Sequence, residues 1–588
     1  MPRNRQLATA VCTALIVALP IAPFVASAQT GIEVPEMAAC ENLVRKFVET
    51  KNIPGLSFAM AREGRIVYSR GFGKADLARA ENTQPHHLFR IASISKSITA
   101  VALYRMIETG ALSLSDKVFG TGGLLENHPD FAATSIVDER IFDITVQMLL
   151  EHTAGWDAKI DCTPNPTSPY PWHANTCAPE RFPLHVTETL GRANPATEEA
   201  FITFLLERGL NSEPGTKFAY SNTGYLVLGE IIEMLSGMSY EEYVQKELLY
   251  PLGIYDMHIG QSLREAKRVR EVEYQQADSW GLGDSVLSSL GDGALVPWEY
   301  GGFNFTVISS AGAWIATAQD LLKLLTAVDG FATKTDILSA SSHASMTELS
   351  TRSGSYAKGW LVNNTHDQWQ LGSLPGTATL WRSTSEGYTW AILMNTNPDT
   401  KKFWAKLGNL GRFCIAATPN WPTHDLMASP TVAASNVAVS EGSGRLVVKW
   451  SNGGGERRIV SVSAESAPNA FPLDGTDYEA ASLFRAGSDL SGENYVVFNG
   501  IDDRVAVTGL TPCKRYRVRV FEYNQNANTG NYALYLLGNH PEAFAIPKPS
   551  DAQECHGIKP GSDRNATNIS IGATDAAFSQ DGLKMSLQ

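Results

Sequence analysis

Ser93 and Lys96 stand three residues apart in the stretch Phe89-Arg90-Ile91-Ala92-Ser93-Ile94-Ser95-Lys96-Ser97-Ile98. Side chains at i and i+3 share one face of a helix, so a hydroxyl and an amine at this spacing can meet in a hydrogen bond. Such a pair makes an activated nucleophile. A serine is nearly unreactive at neutral pH until a base takes its proton, and a lysine serves as that base only when burial or nearby positive charge lowers its pKa. Ile91, Ala92, Ile94 and Ile98 would supply the apolar setting. Average composition yields roughly one or two S-x-x-K matches by chance in a chain of this size, so the pair has to be read with other stations.

Two such stations follow. In Tyr220-Ser221-Asn222 a phenol can relay a proton and a side-chain amide can hold a substrate carbonyl. In Gln370-Leu371-Gly372-Ser373-Leu374-Pro375-Gly376 a strand runs into a turn. The pair Glu151-His152 invites a catalytic reading too, but the preferred one is the end of a helix stopped by Gly155.

The elements that must carry these residues are legible from periodicity. Met37, Cys40, Leu43, Val44 and Phe47 predict a helix over residues 36–50. Residues 55–60 and 65–69 read as a hairpin with Glu63-Gly64 at its turn. Residues 157–195, rich in Pro, Asn and Thr, read as an ordered loop, and a helix is expected over 226–236. A further helix is expected over 309–327, strands over 359–362, 368–376 and 389–395, and a last helix over 401–415. Strands and helices at both ends suggest a sheet built from the two chain termini. Beyond about Trp421 short strands replace helices, at 445–450, 458–463, 495–498, 505–510 and 516–523, which predicts a β-sandwich. The tail 549–588 shows little periodicity.

A chain of 588 residues implies two or three domains. Arg3 and Arg5 precede an apolar run over 7–25 that closes on Ala26-Ser27-Ala28, which predicts a secretory signal over 1–28 and a periplasmic or extracellular destination. No later run is long enough to span a membrane. Loss of the two arginines takes the formal charge from -13 to -15, a balance unsuited to nucleic acid or anionic membrane. Six cysteines follow the leader, none in a C-x-x-C pair, which favours disulfides over metal ligation. Neither H-E-x-x-H nor G-x-S-x-G occurs, so neither a metal site, a cofactor nor a nucleophile elbow is expected.

Ser93-Ile94-Ser95-Lys96, Tyr220-Ser221-Asn222 and the Gly372-Ser373-Leu374-Pro375-Gly376 strand occur in the order seen in serine hydrolases of the class C β-lactamase and D-alanyl-D-alanine peptidase family. Leu149-Leu150-Glu151-His152-Thr153-Ala154-Gly155 and Pro214-Gly215-Thr216 resemble that family as well, and the likeness covers residues 36–420. It implies an α/β sandwich with an all-helical subdomain and the active site between them. By the same likeness Ser93 would be acylated, Lys96 and Tyr220 would share proton transfer, and Asn222 would orient the substrate. The backbone N–H groups of Ser93 and Ser373 would form an oxyanion hole, where one donor is worth about 3 to 4 kcal/mol in other enzymes. Packing of the terminal helices in the resembled fold implies a Cys40–Cys414 bridge, with Cys162–Cys177 and Cys513–Cys555 completing the set inside their own domains.

One departure bears on substrate. Where the family commonly has Lys-Thr-Gly or His-x-Gly, this chain has Gln370-Leu371-Gly372, and the missing cation removes a contact to a substrate carboxylate worth roughly 1.5 to 3 kcal/mol. Esters, amides or peptides without a terminal carboxylate are therefore favoured over β-lactam hydrolysis or D-Ala-D-Ala carboxypeptidase action. A reading of another class is a non-catalytic protein that binds cell-wall peptides. Residues 430–548 resemble a fibronectin type III domain through Trp450, Leu510-Thr511-Pro512, Tyr516 and Tyr523-Asn524, a spacer or a module for cell-envelope contact.

Overall fold

The computed structural model describes residues 29–131, 134–160, 177–276, 286–331, 334–398, 400–426, 430, 432–473, 476–526, 532–538 and 540–549. The expected signal over 1–28, Cys162, Cys555 and positions 550–588 of the tail lie outside these residues.

The hairpin forms as the turn chemistry requires. Gly55–Arg62 (β1) and Arg65–Asp76 (β2) are joined by Glu63 and Gly64, both at positive φ, the two-residue turn that matches strand twist. β1 then pairs antiparallel with a strand from the far end of the chain, Tyr388–Met394. With Leu361–Val362 as β3, Gln368–Leu374 as β4, Thr377–Ser383 as β5 and Tyr388–Met394 as β6, the order is β2-β1-β6-β5-β4-β3. Gln29–Gly31 and Glu81–Asn82 complete the eight strands at the outer edge of β2. Both chain ends thus build one sheet.

Helices cover both faces, so the strands are apolar on both sides. Phe58, Met60, Leu380 and Trp390 pack with Val44 and Phe47 of α1 (Ala38–Lys51) and with Phe403 and Leu407 of the last helix, Lys401–Ala417. The Cys40–Cys414 disulfide joins these two helices, as the resemblance implied. Cys177 and Cys513 are each disulfide-bonded as well. Ala59, Ala61, Ala391 and Leu393 face the opposite way, toward Leu321, Leu322 and Leu325.

The second face leads into the helical part, whose centre is α2, Ser95–Glu108. Every residue from Ser95 to Tyr104 is buried, so this helix is a core element rather than an amphipathic cover. It packs against Asn222–Ser236 (α3) and the short turn Ser309–Gly312.

Three expectations need correction. The helix expected over 309–327 is broken: Trp314–Ala316 is a strand paired with Phe89–Arg90 and His258–Ile259, and Thr317 caps a new helix at Ala318–Leu325. Long-range pairing overrides local propensity there. The loop expected over 157–195 carries a helix at Pro183–Leu190, with proline at its first turn and Gly191 in the left-handed region at its end. The helix expected to stop at Gly155 ends at Leu150, and His152 as well as Gly155 takes a positive φ, of 57° and 108°.

Residues 435–545 form two antiparallel sheets around a separate core. Ser435–Gly442, Arg445–Ser451 and Arg504–Val507 make one, and Arg457–Ala464, Tyr495–Gly500, Tyr516–Asn526, Tyr532–Tyr535 and Glu542–Ala545 the other. Leu446, Val448 and Trp450 from the first interdigitate with Val460, Val462, Val518 and Val520 from the second, which is a sandwich. The Tyr516 hydroxyl accepts the N–H of Thr511 at 3.0 Å.

Candidate active site

Ser93 lies on the tight turn Ala92–Ile94 that feeds α2 and remains partly accessible. Ala92 before it has φ 51°, a left-handed backbone that a non-glycine residue adopts at a cost of about 1 to 3 kcal/mol and keeps only when its surroundings enforce it. The sheet does the enforcing. Thr377 and Thr379 of β5 donate their hydroxyls to the carbonyls of Arg90 and Ile91, both at 2.9 Å. On β4 a Cβ at Gly372 would sit 2.3 Å from the Ile91 carbonyl oxygen and 3.0 Å from Ala92 Cβ, so glycine is what lets the strand close on the nucleophile turn. Ser373 follows Gly372 on the same strand. The Ser373 hydroxyl faces away, accepting from Asn397 Nδ2 at 2.8 Å.

Lys96 Nζ is 3.2 Å from Ser93 Oγ and donates to the Ala311 carbonyl at 2.6 Å. The side chain is fully buried, with the rings of Tyr220 and Tyr225 at 5.0 and 5.6 Å from the nitrogen. Burial lowers its pKa from 10.5 to about 7, against a smaller upward pull from the Glu180 carboxylate. Lys96 is therefore able to lose its proton near neutral pH.

Tyr220 donates its hydroxyl to Ser93 Oγ at 2.8 Å. Burial, reinforced by Tyr356 and Glu180, pushes its phenol up, so it stays protonated and acts as a donor. It is held from behind by His152, whose ring lies 4.3 Å from its own. His152 Nδ1 accepts the backbone N–H of Ser221 at 3.2 Å, which leaves the proton on Nε2, 3.1 Å from the Tyr356 hydroxyl. Burial, and Lys96 next, depress the His152 pKa and keep the ring neutral. Ser221 also caps α3 by accepting from Gly224, fixing Asn222 at the first helical position.

Asn222 Nδ2 donates to Glu180 Oε1 at 2.6 Å. Gln370 is buried on β4, its Nε2 3.3 Å from the Gly359 carbonyl and 3.4 Å from the Tyr356 hydroxyl. The fold thus gathers Ser93, Lys96 and Tyr220 at one oxygen and brings Gly372 against the nucleophile turn, while Asn222 is held by Glu180 and Gln370 is directed at Gly359 and Tyr356. Sequence reading missed Glu180, Tyr356 and the Ala311 carbonyl, and took His152 for a helix end. No motif marks the first three, whereas His152 carried a signal in its nearness to Glu151.

The sequence model of the family described as Beta-lactamase matches residues 40–408 of the 588. The chain belongs to the Beta-lactamase family. Among curated relatives it is similar to penicillin-binding protein 4* of Bacillus subtilis, 25% identical over 58% of this chain and 68% of that protein. It is also similar to the lovastatin esterase of Penicillium rubens, 28% identical over 42% of this chain and 58% of that one. Of solved structures, D-amino acid amidase from Ochrobactrum anthropi aligns with a TM-score of 0.48 at 21% identity, over 65% of this chain and 98% of the amidase. The chain is thus a serine hydrolase of the Beta-lactamase family, similar among curated relatives to a penicillin-binding protein and an esterase.

Proposed function

We propose that this chain is an exported serine hydrolase that forms an acyl-enzyme on Ser93 from ester, amide or peptide substrates. The observation that carries the reading is the convergence on Ser93 Oγ of Lys96 Nζ at 3.2 Å and the Tyr220 hydroxyl at 2.8 Å. Neutral Lys96 takes the Ser93 proton as Oγ attacks the carbonyl, and the backbone N–H groups of Ser93 and Ser373 receive the oxyanion. Tyr220 gives its proton to the leaving nitrogen or oxygen and is reprotonated from the Lys96 ammonium. Water then replaces the leaving group, and the same two residues work in reverse.

Gln370 supports the substrate limit. It brings no charge to the strand, and its amide nitrogen is already directed at the chain's own Gly359 and Tyr356. A carboxylate-bearing β-lactam or D-Ala-D-Ala peptide finds no charge-assisted partner there. Export is supported by the leader-like pattern over 1–28 and by disulfide use.

Reaction with a fluorophosphonate probe followed by peptide mapping tests the nucleophile. The adduct is expected on Ser93 and absent from Ser93→Ala. An adduct on another serine, or an inert protein that still binds cell-wall peptides, refutes the hydrolase assignment.

A further inference from the structure

A single residue brackets Tyr220 along the chain. The N–H of Ala219, just before it, donates to the His152 carbonyl at 2.8 Å, and the N–H of Ser221, just after it, donates to His152 Nδ1 at 3.2 Å. Between these two bonds the imidazole lies against the phenol ring at 4.3 Å. His152 holds this place at φ 57°, a left-handed backbone that a residue with a side chain keeps only when its surroundings enforce it. A helix end closed in this way ordinarily takes glycine or asparagine, so the imidazole at this position asks for a use of its own.

The far side of the ring is held as well. His152 Nε2 donates to the Tyr356 hydroxyl at 3.1 Å, and Tyr356 is buried. The same hydroxyl oxygen takes a second donor, Gln370 Nε2 at 3.4 Å. Two further contacts settle which way the Gln370 amide lies: Oε1 accepts the N–H of Leu371 at 3.0 Å, and Nε2 faces the Gly359 carbonyl at 3.3 Å, which only accepts. That carbonyl also receives the hydroxyl of Ser97 at 2.6 Å, from the residue after Lys96 on α2. Glycine permits the approach, since a Cβ at Gly359 would sit 2.7 Å from Ala100 Cβ and 3.0 Å from the Lys96 carbonyl oxygen. The turn that carries Tyr356 is thus fastened both to the helix of Lys96 and to β4, and a buried chain of hydrogen bonds anchored at both ends is stiff.

We propose that His152, held by Tyr356 and Gln370, is the positioning residue that keeps the Tyr220 hydroxyl on Ser93, so that the strand position which the family resemblance gives to substrate recognition serves proton delivery in this chain. The assignment rests on the acyl-enzyme reading above, in which Tyr220 protonates the leaving group. Placement matters for such a donor, because an error of about 1 Å costs about 100-fold in rate. Gln370, Tyr356 and His152 touch no reacting atom in this scheme, and they act only through where the phenol stands.

The test uses the full-length protein and two esters of one acid, p-nitrophenyl butyrate and ethyl butyrate. Both need Lys96 as base and both give the same acyl-enzyme. p-Nitrophenolate leaves unprotonated, whereas the ethyl oxygen must take the Tyr220 proton as its bond to carbon breaks, so the ratio of the two kcat/KM values isolates proton delivery. His152→Phe keeps a ring and removes both nitrogens; it should slow the ethyl ester about 30-fold and the p-nitrophenyl ester less than about threefold. His152→Asn, which tolerates a left-handed backbone and offers Ser221 an acceptor, should recover part of that loss. Tyr356→Phe deletes one oxygen atom, should lower the ratio of ethyl to p-nitrophenyl ester about 10-fold, and decides the matter if His152→Phe does not fold. Gln370→Leu should lower the ratio about threefold in the unaltered protein and not at all in Tyr356→Phe, because the two residues act in series. Equal slowing of both esters by Tyr356→Phe overturns the proposal, as does a ratio that does not move. An unaltered protein that cleaves p-nitrophenyl butyrate and leaves ethyl butyrate intact overturns it too, since no acid is then in place. Ser93 labelled by the fluorophosphonate with an unmoved ratio defeats the positioning role alone, whereas failure to label Ser93 defeats the acyl-enzyme reading on which it rests.

Discussion

Two buried cations sit in contrasting surroundings. In the C-terminal sandwich Arg458 meets Glu522 through Nε at 3.2 Å and Nη2 at 3.1 Å. Arg458 also reaches the carbonyls of Ile501 and Gly455, while Glu522 takes the backbone N–H groups of Gly453 and Gly455. Every polar atom of that pair has a use inside the protein. In the hydrolase part Lys96 is buried as deeply, yet its neighbours are a hydroxyl, a carbonyl and two ring faces. A buried charge whose partners are complete holds structure together. One whose partners are incomplete shifts its protonation, and that shift is what a general base needs.

Replacing the lysine should sharpen this contrast most. Lys96→Met is expected to lower turnover by about 10^4-fold or more, in line with loss of a member of a catalytic unit. The same change should raise stability at pH 6 by about 1 kcal/mol or more, because it removes a desolvated charge whose burial the pull of Glu180 only partly offsets. Denaturant unfolding of the two proteins at pH 6 measures the second effect, and a less stable Lys96→Met would break the comparison.

Glu522→Gln should behave in the opposite way. Leaving Arg458 buried without its carboxylate is expected to cost the sandwich about 3 to 5 kcal/mol, with Ser93 labelling in the folded protein unchanged. Hydrogen exchange over Arg457–Ala464 and Tyr516–Asn526 reads this locally.

Tyr220→Phe removes the donor to Ser93 while keeping the ring beside His152 and Lys96. A loss of about 100-fold in kcat is expected, and a loss below about threefold would leave Lys96 as the sole proton carrier.

The pH dependence is the mildest test. With a pKa of about 7, Lys96 becomes a free base as pH rises, so kcat/KM should climb about tenfold per unit below pH 7 and level off above it. The stability effect follows from the same shift. Between about pH 7 and 10.5 the unfolded chain holds a proton that the native lysine has released. This residue therefore costs the fold most below pH 7, and its cost falls by up to about 1.4 kcal/mol per unit as pH rises to 10.5.

What the sequence made legible is what is local. Ser93 and Lys96 meet because three residues of one helical turn separate them, and the Glu63-Gly64 turn writes its own hairpin. The Ala311 carbonyl and Tyr356 reach the site only through tertiary packing, and no spacing announces them. Glu180 follows a stretch without periodicity and becomes meaningful only when Asn222 is seen beside it. Trp314–Ala316 was hidden for the same reason, since a three-residue strand is defined by partners more than fifty positions away on one side and two hundred on the other.

The bridge between Cys40 and Cys414, 374 positions apart, turns the hydrolase part into a covalent ring. The nucleophile, its base and the phenol all lie inside that ring. A single cut in a surface loop between the two cysteines therefore leaves both pieces attached, and a protease that nicks the chain once between Ser93 and Ser373 does not release the half that carries one from the half that carries the other. Reduction opens the ring, and the pieces of a nicked chain are then held together by strand pairing and packing alone.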